Sequence, residues 1–100
     1  MGSRLKLHEE LGLFANYVYF NPPESVEMHY DCIVYKLNGV DKMVANNRMY
    51  NGTNEYELIV ISDDPDCEIP NKLMMHFPMC SFVRPYVADG LNHFVLRLFY

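Results

Sequence analysis

No stripe of Lys or Arg runs through this sequence. Basic residues stand singly, at Arg4, Lys36, Lys42, Arg48, Lys72, Arg84 and Arg97 among others, and the formal net charge is −5. The electrostatic footprint of a nucleic-acid binder is therefore missing, and an acidic surface repels DNA. Cysteine is scarce. Cys32, Cys67 and Cys80 are odd in number and widely spaced, which argues against a disulfide framework and for a reducing compartment. The Asn51-Gly52-Thr53 sequon would matter only in a secreted protein. No charged-then-apolar leader opens the chain, and no apolar run approaches the length of a membrane span. The expectation is a soluble protein made in a cytoplasm, with no membrane partner.

Motifs that carry chemistry are also missing. There is no Gly-x-Ser-x-Gly, P-loop or dinucleotide fingerprint. His8, His29, His76 and His93 are scattered, no two lie at i and i+4, and no Cys-x-x-Cys exists, so zinc-ligand spacing is absent. Asp63, Asp64, Asp66 and Glu68 lack the glycine and the alternating oxygen spacing of a calcium loop. They read as the capped, solvated start of a helix rather than a metal site. Cys32 or Cys80 paired with a distant histidine is the remaining enzymatic option, although buried cysteine is far commoner than nucleophilic cysteine. The expectation is no enzyme, with no catalytic, cofactor or metal residues.

What is present is a hydrophobic half, rich in Tyr and Phe, in a chain of 100 residues. That suits one domain over residues 1–100, marginal in size unless a partner covers more surface. The organising stretch is residues 55–68. Tyr56, Leu58 and Val60 alternate with Glu55, Glu57, Ile59 and Ile61, the run stops at Ser62, and Asp63-Asp64-Pro65-Asp66 turns into a helix.

In chain order, Ser3 caps a helix whose Leu7, Leu11 and Phe14 share one face. Tyr17-Val18-Tyr19-Phe20 is a short strand stopped by Asn21-Pro22-Pro23. Residues 30–37 form a strand with Ile33, Tyr35 and Leu37 on one face and Cys32 and Val34 on the other. Apolar residues on both faces imply a central strand or one covered by a neighbouring subunit. Asn38-Gly39 and Asn51-Gly52 are hairpin-turn signals. The polar stretch between them is a projecting arm or long loop.

A strand over residues 55–62 follows. Acidic residues then occupy a helix N-terminus, and the helix begins near Cys67 or Glu68 because Pro70 fits only its first turn. Ile69, Leu73 and Phe77 are its buried stripe. Residues 80–86 form a short strand bounded by Pro85, Ala88-Asp89-Gly90 is a turn, and residues 92–100 form the last strand. The order is α-β-β-β-α-β-β: an α+β domain, its sheet mainly antiparallel or mixed, with two short helices on one face. Tyr17, Tyr19, Tyr30, Tyr35, Tyr50, Tyr56, Tyr86 and Tyr100 are more than a small core needs, which fits either an interface or a tyrosine-rich sheet.

Several stretches together resemble a family. They are residues 30–35 (Tyr-Asp-Cys-Ile-Val-Tyr), 44–50 (Val-Ala-Asn-Asn-Arg-Met-Tyr), 56–60, 64–70, 78–82 and 89–93. The pattern is similar to small proteins of tailed bacteriophages and prophages, variously minor capsid, tail completion or tail terminator proteins. It covers nearly the whole chain and departs from the family at Asn46 and Gly90.

The resemblance implies a tail-terminator-like fold and a virion structural protein. Such a protein forms a homo-oligomeric ring, typically a hexamer, that caps the tail tube at the head–tail junction. Its partners would be further copies of itself, the tail tube protein and head-completion or neck proteins, with DNA passing through unbound. Its location would be the virion neck and, during assembly, the host cytoplasm. The arm residues Val44, Ala45, Asn46, Asn47, Arg48 and Tyr50 are the expected interface. A heterologous ring contact would account for strands with no purely polar face, and an acidic lumen would let DNA slide. The alternatives are a head-completion or stopper ring, a strand-binding adaptor and a small Cys–His enzyme.

Overall fold

The computed structural model describes residues 4–23, 25, 27–40 and 54–100. Chain order is helix α1 (Arg4–Leu11), strands β1 (Tyr17–Phe20), β2 (Cys32–Val40) and β3 (Asn54–Ser62), helix α2 (Ile69–His76), and strands β4 (Cys80–Ala88) and β5 (Leu91–Phe99). The strands form one sheet in the order β1-β2-β3-β5-β4. β1 runs parallel to β2 and every other pair is antiparallel. The α+β class and the element order are those that the periodicity implies.

The alternation of β3 decides which face is which. Tyr56, Leu58 and Val60 are buried with Ile33 and Tyr35 of β2 and Leu96 and Leu98 of β5. Leu7 and Leu11 of α1, Leu73 of α2 and Phe77 just beyond it join the same cluster. Both helices therefore cover one face. α1 presents Leu7 and Leu11 one turn apart, so a short helix needs only that pair to dock. Phe77 closes α2 as its backbone N–H donates to Leu73 O at 2.9 Å, and Pro78 follows.

Several local details differ from the sequence expectation. α1 stops at Leu11, so Phe14 follows the helix instead of sharing its face, and Ser3, the expected cap, lies outside the described residues. Asn38-Gly39 is not a turn: β2 continues to Val40, and the register slips between Leu37 and Gly39 as a β-bulge. Near that bulge Leu37 is 48% exposed rather than sharing the core with Ile33 and Tyr35. Pro85 does not bound its strand either. β4 runs through it to Ala88 because β4 is an edge, where a proline nitrogen can face outward without breaking a ladder bond.

The acidic run does not cap α2. Glu68 is the N-cap without a side-chain cap bond. Instead the Asp64 N–H donates to Ser62 Oγ at 3.0 Å and the Asp66 N–H to Asp64 Oδ1 at 2.9 Å. These short side chains fold the turn itself, and α2 starts at Ile69, after the expected Cys67 or Glu68. Asp89-Gly90 is a two-residue turn as expected, with φ of 53° and 75°, the pair of positive angles that a type I′ hairpin requires.

Truncating the core under both helices should be costly. Leu58→Ala or Leu96→Ala is expected to lower stability by about 2–5 kcal/mol, whereas Leu37→Ala should change it by no more than about 0.5 kcal/mol. Urea unfolding of the three variants checks the assignment, and an equal loss at Leu37 would contradict the bulge geometry.

Candidate assembly surface

The expected interface residues Val44, Ala45, Asn46, Asn47, Arg48 and Tyr50, with the rest of the arm and the Asn51-Gly52 turn, lie outside the described residues. The surfaces available for assembly are the sheet edge at β4, a groove beside it, and the face turned away from the helices.

Backbone direction along β4 follows from the far end of the sheet. Asn54 and Tyr100 exchange both backbone hydrogen bonds, at 3.1 and 2.9 Å. Bonding direction alternates along a strand, so Leu98, Leu96 and Phe94 bond towards β3 and Phe99, Arg97, Val95, His93 and Leu91 towards β4. The Phe99 N–H donating to Met79 O at 3.1 Å agrees. Across the β4–β5 register, Cys80 pairs with Leu98, Phe82 with Leu96, Pro85 with Phe94 and Val87 with Asn92. Those four β4 residues therefore aim their backbone groups away from the sheet. Phe82 and Val87 each offer an N–H and a C=O; Cys80 offers only its carbonyl, because its N–H donates to Phe77 O at 3.3 Å, and Pro85 likewise offers only its carbonyl. A bulge between Phe82 and Arg84 interrupts the row. Bulge and proline are two of the devices that protect a sheet edge, and they leave Cys80 to Phe82 as its most regular part.

The edge is also apolar. Phe82 is 42% exposed and Val87 69%, with Val83 between them in exposure. Phe82 lies on the helix side, where α2 stops short of covering it. A groove of about 550 Å³ opens there, floored by Cys67, Pro70, Met74, Phe82 and Phe94, with Asp66 at its mouth.

The opposite face is layered. The row Val34–Ile59–Val95 and the row Cys32–Ile61–His93 cross β2, β3 and β5, with Cys32, Ile61 and Val95 buried and Val34, Ile59 and His93 half-buried. The next row is charged: Lys36 meets Glu57 at 3.5 Å, and Arg97 meets Glu55 at 3.4 Å. Both pairs are partly exposed to solvent and so contribute little to stability. Tyr86 stacks on His93 at 4.6 Å between ring centroids, and the Arg84 guanidinium lies over Tyr86 at 4.9 Å. The β1–β2 connection crosses this face: the His29 ring stacks on Tyr17, and its backbone N–H donates to the Tyr19 hydroxyl at 3.0 Å.

The histidines and cysteines occupy separate structural niches. His8 shares a 2.7 Å hydrogen bond with the Tyr35 hydroxyl, and His93 Nδ1 donates to Leu91 O at 3.0 Å. His76 Nε2 donates to Glu10 Oε1 at 3.0 Å, and the Tyr100 hydroxyl donates to Glu10 Oε2. Glu10 thereby ties α1, α2 and the end of β5 together. The Tyr100 and His76 hydrogen bonds hold its carboxyl below its ordinary value. Burial first, and then the Glu10 bond, push Tyr100 up to about 12. Burial raises the Cys32 and Cys80 thiols to about 11, with Asp31 adding to the effect at Cys32, and a protonated thiol is a poor nucleophile. Among the described residues no group of three His, Cys, Asp or Glu side chains is arranged to hold a metal, and no helix is long and apolar enough to cross a membrane.

Comparison with protein-family models, with curated proteins and with solved structures finds no match for the chain.

Sequence reasoning did not single out Phe82, Val87, Met74 or Phe94 as surface. Phe82 sits in the run over residues 80–86 that reads as a short strand, and Val87 lies just beyond it. Only the order of strands, with β4 outermost, exposes them.

The Glu10 hub has a pH signature. A depressed carboxyl stabilises the fold above its unfolded value, near 4.5, and that contribution is lost as pH falls through the lower native value. A raised tyrosine contributes fully below about 10 and loses its contribution as pH climbs through about 12. Tyr100→Phe should therefore cost about 1–3 kcal/mol at pH 7, and the gap to the native chain should narrow below pH 4.5. Urea unfolding across pH tests this, and a gap independent of pH would refute it. Separately, iodoacetamide at pH 8 should modify Cys67, at the groove, before Cys32 and Cys80, as read by mass spectrometry; a Cys32-first product would contradict the burial.

Proposed function

We propose that this chain is a structural subunit of a tailed-phage virion, a ring-forming tail terminator at the head–tail junction that caps the tail tube and joins it to the neck. The reading rests on the family resemblance, and the observation in the fold that carries it is the β4 edge. That edge is a nine-residue strand that turns unpaired backbone groups and apolar side chains outward beside an apolar groove. A surface of that kind suits contact between copies, because backbone bonding sets the geometry and the pocket adds specificity. The two ends of the sheet differ, since β1 is short and parallel to its neighbour while β4 is long and antiparallel. A contact joining unlike ends is heterologous, the class that closes into rings. The net acidic charge suits a ring through which DNA passes without being held.

The protonated state of Cys32 and Cys80 speaks against the Cys–His enzyme reading. A free sheet edge also fits an adaptor that binds peptides by strand addition, and that reading would gain if the chain captured extended peptides while remaining monomeric.

The deciding experiment is native mass over a range of concentrations, with particle images, followed by mixing with polymerised tail tube. A closed ring, or a ring formed on contact with the tube end and arresting tube growth, is expected. A chain that remains monomeric and leaves tube length unchanged would overturn the proposal.

A further inference from the structure

The groove beside β4 has a particular chemistry. Its floor is apolar and contains a thiol, two aromatic rings and a methionine. Its mouth is acidic: Asp66 lines it, and the exposed Asp64 and Glu68 flank Asp66 and Cys67 in the same turn. Asp64 is engaged by the Asp66 backbone N–H, and the ion pairs among the described residues involve none of these three carboxylates. Immediately beside the floor, Phe82 presents a backbone donor and acceptor away from the sheet, and Cys80 presents its carbonyl, its N–H being bonded to Phe77 O. The bulge and Pro85 confine that pairing to a few residues. A fitting occupant is thus a short extended segment, with an apolar side chain for the groove and a Lys or Arg near the mouth.

The sequence contains such a segment. Residues 41–53 carry Lys42 and Arg48 against the single acid Asp41, and Met43, Val44, Met49 and Tyr50 supply apolar side chains. This stretch is net basic in an otherwise acidic chain. The described residues that flank it, Val40 and Asn54, pair across β2 and β3.

We infer that the groove and the adjoining Cys80–Phe82 edge receive residues 41–53 of a second copy of this chain. The inference rests on the assembly reading above and names its contact. Phe82 and Met74 receive an apolar side chain of the neighbour, Asp66 and Glu68 meet its Lys42 or Arg48, and the backbone of Phe82 extends the sheet by a short strand. Each copy gives one segment and accepts another, which is the heterologous arrangement that closes a ring. Complementary charge selects the register as much as it adds affinity.

The test is charge reversal with rescue, read as native mass on the full chain. Asp66→Lys with Glu68→Lys should raise the concentration needed for assembly by about tenfold or more, as should Lys42→Glu with Arg48→Glu. All four substitutions in one chain should restore assembly. Phe82→Asp should abolish it while circular dichroism and thermal unfolding remain close to the native chain, as befits an exposed residue. As a measurement independent of ring formation, a synthetic peptide of residues 40–54 should bind the Lys42→Glu, Arg48→Glu chain and should not bind the Phe82→Asp chain. A native chain that assembles and is indifferent to both reversals overturns this inference and leaves the assembly reading standing. A native chain that is monomeric throughout, together with a peptide that binds no variant, overturns the inference as well, and tube capping then judges the assembly reading separately.

Discussion

The constraint on which this fold depends is the double pairing of β3. It holds β2 on one side and β5 on the other. Its inward residues Tyr56, Leu58 and Val60 are the floor on which both helices rest. A one-residue slip would turn those side chains to the far face and bring Glu55, Glu57 and Ile59 beneath the helices. Glu55 and Glu57 oppose such a slip, because each would have to leave its ion pair with Arg97 or Lys36 and enter the core. The Glu10 hub is a second, polar fastening. It joins the two helices through His76 and secures them to the end of β5 through Tyr100.

Much of this is written in the chain. Apolar residues on both faces of residues 30–37 mark a central strand or a covered one, and β2 lies between β1 and β3. Asp89-Gly90 announces its hairpin because few residues other than Gly, Asn and Asp adopt two successive positive φ angles. The other features depend on tertiary context. Asn38-Gly39 carries the same local signal, yet β3 pairs beyond it and the extra residue is absorbed as a bulge. Pro85 looks like a strand end and is instead tolerated because, among the described residues, no strand pairs on its outer side. The acidic run favours a helix start, but Asp64 and Ser62 are short enough to bond the turn before the helix can use them.

The candidate site was less legible than the fold, and for a physical reason. An interface residue on an edge strand has the same side-chain chemistry as a core residue. Phe82 and Val87 are distinguished from Phe94 and Val95 only by which strand lies outermost, and strand order is a non-local property. What the sequence does reveal is the imbalance around it: many tyrosines, apolar residues on both faces of the central strands, and one net-basic stretch in an acidic chain. The β4 edge and its groove give that imbalance a location. They combine an apolar pocket, an acidic mouth and, at Phe82, backbone groups without a partner among the described residues, features that a solitary domain ordinarily blunts.

The claim that the β4 edge is the assembly surface is tested most directly by amide hydrogen exchange at single residues, measured below and above the concentration at which the chain associates. The Phe82 amide faces outward and should exchange rapidly in the dilute chain, then become protected when copies associate. The Ser81 and Tyr86 amides, which point to β5, should be protected in both states. An assembled protein in which Phe82 still exchanges as fast as in the dilute chain would contradict the account and move the contact to another face.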